Sequence, residues 1–108
     1  MVGPTKLGCI YPWLGLAAVV AATPAFGADP GNGQRLAQRW CETCHVVTPT
    51  QRRAATDQAP PFATIAKIPH FDAGKIALFL LDPHPKMPNM ALSRSEAADI
   101  AAYIATLK

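Results

Sequence analysis

Little in this sequence points to β-structure, to repeats or to nucleic acid. No stretch alternates apolar and polar residues with period two, so strands are not expected. There is no internal repeat and no low-complexity tract. The basic residues are scattered, and only Arg52 and Arg53 are adjacent, whereas nucleic-acid binding needs a patch or stripe of Lys and Arg. We therefore expect one mainly helical domain that does not bind nucleic acid.

The first quarter of the chain almost lacks charge, because Lys6 is the only charged residue among the first 28. A short apolar run follows at residues 14–22, and small residues come after it. A basic start, a brief apolar run and a small-residue exit are typical of a secretory signal peptide. We predict that residues 1–27 form such a peptide, which is cleaved after Gly27 or, as second choice, after Ala28.

No apolar run is long enough for a comfortable membrane span, which needs about 20 residues. An uncleaved N-terminal membrane anchor is therefore the less favoured alternative. Cys9 precedes the apolar run, whereas a lipid-modified cysteine would follow it, so we assign Cys9 to the discarded segment. Export would leave residues 28–108 as one periplasmic domain without a membrane attachment.

Cysteine is too scarce to hold the exported domain together. Cleavage after Gly27 of the 108-residue chain leaves 81 residues, which is marginal for a self-supporting core. Small exported domains usually add disulfides, a metal or a cofactor. The mature chain keeps only Cys41 and Cys44, and a bridge between them would close a tiny loop that restrains little. Another group must supply the missing apolar mass.

The clearest helix signals lie at the two ends of the mature chain. Asp29 and Pro30 form a good helix start, and the first helix runs from them into Cys41. Residues 93–96, Ser-Arg-Ser-Glu, fit a capping box that starts the last helix. Small residues leave room for close approach of these helices: Gly33, Ala37, Ala97 and Ala101. We expect the terminal helices to pack against each other.

Two further helices are predicted between them. Residues 62–68 fit a short helix, and Asp72 caps another helix over residues 73–81 that ends before Pro83. Polar and small residues at positions 46–61 predict a loop. The predicted fold class is all-α, with three to five helices around a small centre.

The stretch CETCH places Cys41, Cys44 and His45 in the attachment signature of c-type haem. Two thiols three residues apart on a helical turn can each add to one vinyl group of the porphyrin, and the adjacent histidine then faces the iron. Export would carry the motif to the oxidising compartment in which such attachment is made. We therefore predict one covalent haem c, held by Cys41 and Cys44, with His45 bound to its iron.

Three other uses of the motif are weaker alternatives. A thioredoxin-like dithiol needs its cysteines at a helix start beside strands, whereas here they follow a helix. A structural zinc site needs four ligands, so His70 or His84 would have to join Cys41, Cys44 and His45. A purely structural disulfide is the third alternative.

A haem iron needs a second axial ligand or an open position. The mature chain offers Met87, Met90, His70 and His84. Both methionines lie in the proline-rich segment 82–93, and a stiff loop of this kind can hold a thioether against iron without a large entropy cost.

The predicted mature chain resembles a small bacterial class I cytochrome c. The matching parts are CETCH, APPFATIA and MPNMALSRSEAADIAAYIATLK, which come in the family's order and span nearly all 81 residues. The resemblance implies the small cytochrome c fold around one haem and makes Met87, the methionine of the Met-Pro pair, the distal ligand. Met90 stands where the family has an apolar residue, so we expect it in the haem pocket and keep it as the alternative ligand. His70 and His84 are expected at the surface.

The same resemblance implies roles for other positions. The carbonyl of Pro60 is expected to accept the N–H of the His45 imidazole, which would orient that ring and make it more basic. Trp40 and Tyr103 are expected in the core near the crossing of the terminal helices. The candidates for the haem wall are Phe62, Ile65, Ile76, Phe79 and Leu80.

A His–Met iron is six-coordinate and leaves no position for oxygen or substrate, and no catalytic acid, base or nucleophile stands beside the motif. The expected function is a periplasmic one-electron carrier, not an enzyme. The alternatives are a haem-bearing subunit of a larger periplasmic oxidoreductase complex and a haem sensor or ligand-binding protein with a displaceable methionine. Expected partners are redox proteins such as a dehydrogenase, an oxidase or a larger catalytic subunit. Three lysines are expected around the exposed haem edge: Lys67, Lys75 and Lys86.

Overall fold

The computed structural model describes residues 2–4, 8, 15, 17–18, 27–52, 59–83 and 85–108. These residues form four helices and no strand: α1 Pro30–Trp40, α2 Phe62–Ala66, α3 Ala73–Leu81 and α4 Arg94–Ala105. The predicted all-α fold class is confirmed. None of the described helices is long and apolar enough to cross a membrane. Cys9, Arg53, His84 and most of the predicted signal peptide lie outside the described residues.

The three longer helices begin at the capping residues that the sequence indicates. Asp29 at α1 and Asp72 at α3 each accept a hydrogen bond from a backbone N–H three residues later. Pro30 occupies the first position of α1, where no N–H is needed. Ser93 and Glu96 form a complete capping box at α4. These side chains satisfy N–H groups that the helices themselves leave unpaired.

The terminal helices α1 and α4 pack against each other, as predicted, and approach most closely at Gly33. A Cβ atom at this position would overlap the backbone carbonyl of Asp99, so glycine is required. Three alanines are buried nearby: Ala37, Ala97 and Ala101. The Asp99 carboxylate accepts from the backbone N–H of Asp29 at 2.7 Å and from the side-chain amide of Asn32 at 2.8 Å. It thereby ties the first turn of α1 to the middle of α4.

The segment between α1 and α2 is tied to both α4 and α2. The phenol of Tyr103, which is buried as expected, donates to the carbonyl of Val47. The backbone N–H of Phe62 donates to the carbonyl of Val46 at 2.9 Å, so α2 begins beside the same segment. The core therefore gathers residues from all four helices: Ala37, Phe62, Ala66, Leu80, Ala97, Ile100, Tyr103 and Ile104.

The predicted core position of Trp40 is wrong. Its side chain is 42% exposed, and the guanidinium of Arg39 lies 4.9 Å from its ring centroid. The reason is that α1 ends at Trp40, whereas the close approach to α4 is made at Gly33, about two turns earlier. Trp40 borders a cavity instead of the helix crossing.

Candidate functional site

The end of α1 brings Cys41, Cys44 and His45 together. Cys41 is the C-cap of this helix, and its carbonyl accepts the backbone N–H of Cys44 at 3.1 Å and that of His45 at 2.8 Å. Cys41 is buried, and Cys44 is half-buried. The three residues of the motif therefore lie on one tight turn at the edge of the core.

The state of the thiols bears on the alternatives to haem. Cys41 and Cys44 are not joined in a disulfide. Burial, with a smaller contribution from Cys44, raises the pKa of the Cys41 thiol to about 11. A redox-active dithiol needs a lowered thiol pKa, so this environment disfavours the thioredoxin-like alternative. Among the described residues, no group of three or more His, Cys, Asp or Glu side chains is placed to hold a metal ion, and the zinc alternative gains no support.

The imidazole of His45 is held in one tautomer. Its Nδ1 lies 2.6 Å from the carbonyl oxygen of Pro60. Because a carbonyl can only accept, Nδ1 carries a proton and donates it, so in the neutral imidazole Nε2 has the lone pair. Phe62 packs against the imidazole with the ring centroids 5.2 Å apart, and Tyr103 packs against Phe62 at 6.4 Å. A histidine in this state is suited to bind a metal ion through Nε2.

Gln51 is a site residue that no pattern in the sequence indicates. Its side-chain Nε2 donates to the carbonyls of Glu42 at 3.2 Å and His45 at 3.0 Å. Its Oε1 accepts from the backbone N–H of Val47 at 2.9 Å. One amide group therefore fastens the turn that carries the motif. A glutamine in a polar loop is unremarkable in sequence, so only the folded geometry reveals this contact.

Two cavities meet at His45 and Met87. The first, of about 320 Å³, also borders Pro60 and both cysteines of the motif. The second, of about 250 Å³, is otherwise lined by apolar side chains: Phe62, Ile65, Ile76, Phe79, Leu80 and Ile104. All five residues expected in the haem wall therefore border the second cavity. Together the cavities have the size of a small-molecule or cofactor site.

The residues around the cavities fit a haem. A pair of thiols, a histidine with an available Nε2, a thioether and an apolar wall are the groups that a c-type haem requires. The lining also includes residues that sequence reasoning did not place there: Trp40, Thr43, Ala59 and Ile104. Ile104 is a buried residue of α4. Trp40 could have been found from its position directly before Cys41.

The loop between α3 and α4 presents two methionines to the site. Met87 borders both cavities, whereas Met90 borders only the first. The Oδ1 of Asn89 accepts from the backbone N–H of Ala91 at 2.8 Å, and Ala91 has a φ of 50°, which non-glycine residues rarely adopt. This turn leads the chain from the methionines into α4. His70 is exposed and borders neither cavity.

Comparison with known proteins finds a close likeness to cytochrome c-552 of Bradyrhizobium diazoefficiens. The two sequences are 53% identical over 93 residues, which make up 86% of this chain and 88% of the relative. No protein-family model and no solved structure matches the chain. The likeness therefore covers most of both chains.

Proposed function

Because the chain belongs to the family of small bacterial monohaem c-type cytochromes, we propose that it is a periplasmic one-electron carrier with His45 and Met87 as the axial ligands of its haem iron. It is a haem-based electron-transfer protein, its cofactor is covalently bound haem c, and its partners are redox proteins. The proposal adds the attachment through Cys41 and Cys44, the axial ligands, the compartment and the role of carrier rather than enzyme.

The arrangement around the two cavities carries this proposal. His45 and Met87 are the two residues that both linings share. Cys41 and Cys44 border the same cavity as this pair. Since the Nδ1 of His45 is committed to Pro60, its Nε2 is the nitrogen available to iron. A site with an imidazole on one side and a thioether on the other leaves no open position, which supports electron transfer rather than substrate chemistry.

The residues around the proposed site influence the basicity of the histidine ligand and the oxidation state that the iron favours. When bound, haem c supplies one iron that alternates between the ferric and ferrous states. Pro60 orients the His45 imidazole and makes it a more basic ligand. The thioether of Met87 favours the ferrous state. The apolar side chains of the second cavity, such as Phe62 and Leu80, exclude water and disfavour the extra positive charge of the ferric state.

The composition of the cavity walls supports a carrier rather than an enzyme. Among the described residues, neither lining contains an Asp or Glu side chain. His45 is the lining histidine, and we assign it to the iron. General acid–base catalysis would need a positioned group that transfers a proton, and the other groups of this kind in the two linings are the cysteines, which we assign to the haem, and Lys86.

The periplasmic location rests on the predicted signal peptide at residues 1–27. Fractionation of cells that express the full chain should place the haem protein in the periplasm. Mass spectrometry of that material should find Ala28 as its first residue. Recovery from the membrane fraction with an intact N-terminus would instead support the anchor alternative.

The ligand assignment is tested with Met87→Ala and Met90→Ala in protein exported together with the haem-attachment machinery. The wild type and Met90→Ala should show the ferric absorption band of an iron–thioether bond, and Met87→Ala should lose it. The reverse result would make Met90 the ligand. Carbon monoxide should not bind the ferrous wild type at neutral pH, and binding would favour a sensor. Co-purification with a larger subunit would favour a fixed complex.

A further inference from the structure

Gln51 lies just beyond the Cys41–His45 turn and holds it from outside the motif. Its amide group donates to the carbonyls of Glu42 and His45 and accepts from the N–H of Val47. Glu42 lies within the motif, His45 is its last residue, and Val47 follows two residues later. The three partners therefore span the turn.

These contacts supply donors that the backbone does not. Glu42 and His45 follow the end of α1, so their carbonyls are not part of its hydrogen-bond ladder. Among the described residues, no backbone N–H outside the helices donates to the carbonyl of Glu42 or to that of His45. The Nε2 group of Gln51 donates to both carbonyls and so links two points of the turn.

Gln51 is itself anchored to the core. Its backbone N–H donates to the hydroxyl and to the carbonyl of Thr48, each at 3.2 Å, and Thr48 is buried. Val47, which donates to Gln51, is also joined to α4 because its carbonyl accepts from Tyr103. The amide group of Gln51 is therefore part of a connected network between the turn and α4.

We propose that Gln51 is a positioning residue for the proximal histidine. Pro60 restrains the ring of His45 at one nitrogen, and Gln51 restrains the backbone that carries the ring. Together the two restraints set the plane of the imidazole relative to the haem. This inference rests on the proposed role of His45 as an axial ligand.

Two variants and one control separate positioning from general stability. Gln51→Met keeps about the length of the side chain and removes the hydrogen bonds of the amide group to Glu42, His45 and Val47. Gln51→Glu keeps the acceptor for Val47 but puts a carboxylate against the two carbonyls, and it serves if Gln51→Met does not fold. Gln38→Met makes the same chemical change at an exposed position of α1.

NMR spectroscopy of the ferric holoprotein provides the readout, because the hyperfine-shifted haem methyl resonances depend on the orientation of the axial ligands. Both Gln51 variants should keep the iron–thioether band and the covalent haem, yet change the methyl pattern. In both variants the Nδ1 proton of His45 should also exchange with solvent at least about fivefold faster. A change in rate of about fivefold corresponds to the net free energy of one ordinary hydrogen bond. Gln38→Met should match the wild type.

An unchanged methyl pattern and exchange rate in the Gln51 variants would overturn the proposal. A wild type that takes up haem but lacks the iron–thioether band would overturn the proposed ligands instead. The two failures are therefore distinguishable in the same set of samples.

Discussion

Contacts through two aromatic rings connect the imidazole of His45 to the backbone that follows it. Phe62 packs against the imidazole, and Tyr103 packs against Phe62. The phenol of Tyr103 then donates to the carbonyl of Val47, two residues after the histidine. A single residue of α4 therefore supports both the ring of His45 and the chain that follows it.

Replacing Tyr103 with Phe measures the contribution of that phenol. The change keeps the ring and leaves the carbonyl of Val47, a residue with no exposed surface, without its donor. An unsatisfied buried acceptor costs about 1–3 kcal/mol. The free energy of unfolding of the holoprotein, measured in guanidinium chloride at pH 7, should fall by that amount. A loss below about 0.5 kcal/mol would mean that another donor takes the place of the phenol.

The same variant has a second readout at alkaline pH. Burial raises the pKa of Tyr103 above its ordinary value of 10.0. Between the ordinary and the raised pKa, the folded protein keeps the phenolic proton and the unfolded chain loses it, so stability falls as the pH rises through this window. The wild type should show this decline above about pH 10, and Tyr103→Phe should lack that part of it. Equal slopes would count against the buried phenol.

Residues that hold the histidine differ in how far sequence can predict them. The contact from His45 to Pro60 follows from a family resemblance, because both residues stand in recognisable positions. The contact from Gln51 follows from neither periodicity nor resemblance. Its partners are backbone carbonyls, and their directions are set only when the turn has folded. Side chains that bind backbone in loops therefore remain outside the reach of pattern reasoning.

Helix starts were predictable here because their signals are local. The caps of α1, α3 and α4 each act within about one turn of the helix that they begin. Helix ends and faces depend on tertiary packing: α2 ends at Ala66, two residues before the predicted end. The resemblance likewise implied a core position for Trp40, but it did not indicate how far along α1 the contact with α4 extends.

The close approach of α1 and α4 predicts that Gly33→Ala is destabilising. An added Cβ would overlap the backbone carbonyl of Asp99, which cannot rotate away as a side chain can. Overpacking of this kind costs about 1–3 kcal/mol, and it opposes the advantage of about 1 kcal/mol that Ala has over Gly in a helix. Thermal unfolding of the holoprotein should therefore occur at a lower temperature in Gly33→Ala.

Gly31→Ala is the matched control in the same helix. A Cβ at position 31 would meet only side chains, the Asp29 carboxylate at 3.2 Å and the Arg35 guanidinium at 3.9 Å. It should leave the midpoint unchanged or raise it slightly. Equal midpoints for Gly31→Ala and Gly33→Ala would show that the two helices can separate without cost.

For the molecule as a whole, the two cavities mark the place where a cofactor would complete the small core. Residues of all four helices border one cavity or the other. The largest side chains with almost no exposed surface among the described residues are only Ile100, Ile104 and Val47. A core of this size is marginal for an independent domain. We therefore expect haem c to act as the shared apolar centre of the helices as well as the redox group.

Charge is the other property of the whole molecule, and its placement predicts how a redox partner approaches. Of the three lysines expected around the haem edge, Lys86 borders the first cavity. Lys67 borders a separate shallow pocket with His70 and Lys108. Lys75 borders neither of the cavities that share His45. Among the described residues, Lys86 is therefore the lysine of these three that lies beside the site, and Lys67 is a matched lysine elsewhere on the surface.

Oxidation of the ferrous holoprotein by hexacyanoferrate(III), followed by stopped flow, tests this placement. A positive charge near the point of electron exit attracts the anion and raises the encounter rate, and salt screens the attraction because the Debye length is about 10 Å at 0.1 M and about 3 Å at 1 M. Lys86→Gln should lower the rate about twofold at low ionic strength and match the wild type in high salt. Lys67→Gln should have a smaller effect than Lys86→Gln at low ionic strength and should also match the wild type in high salt. If the two variants lose rate equally, electrons do not leave through the side of the molecule that Lys86 borders.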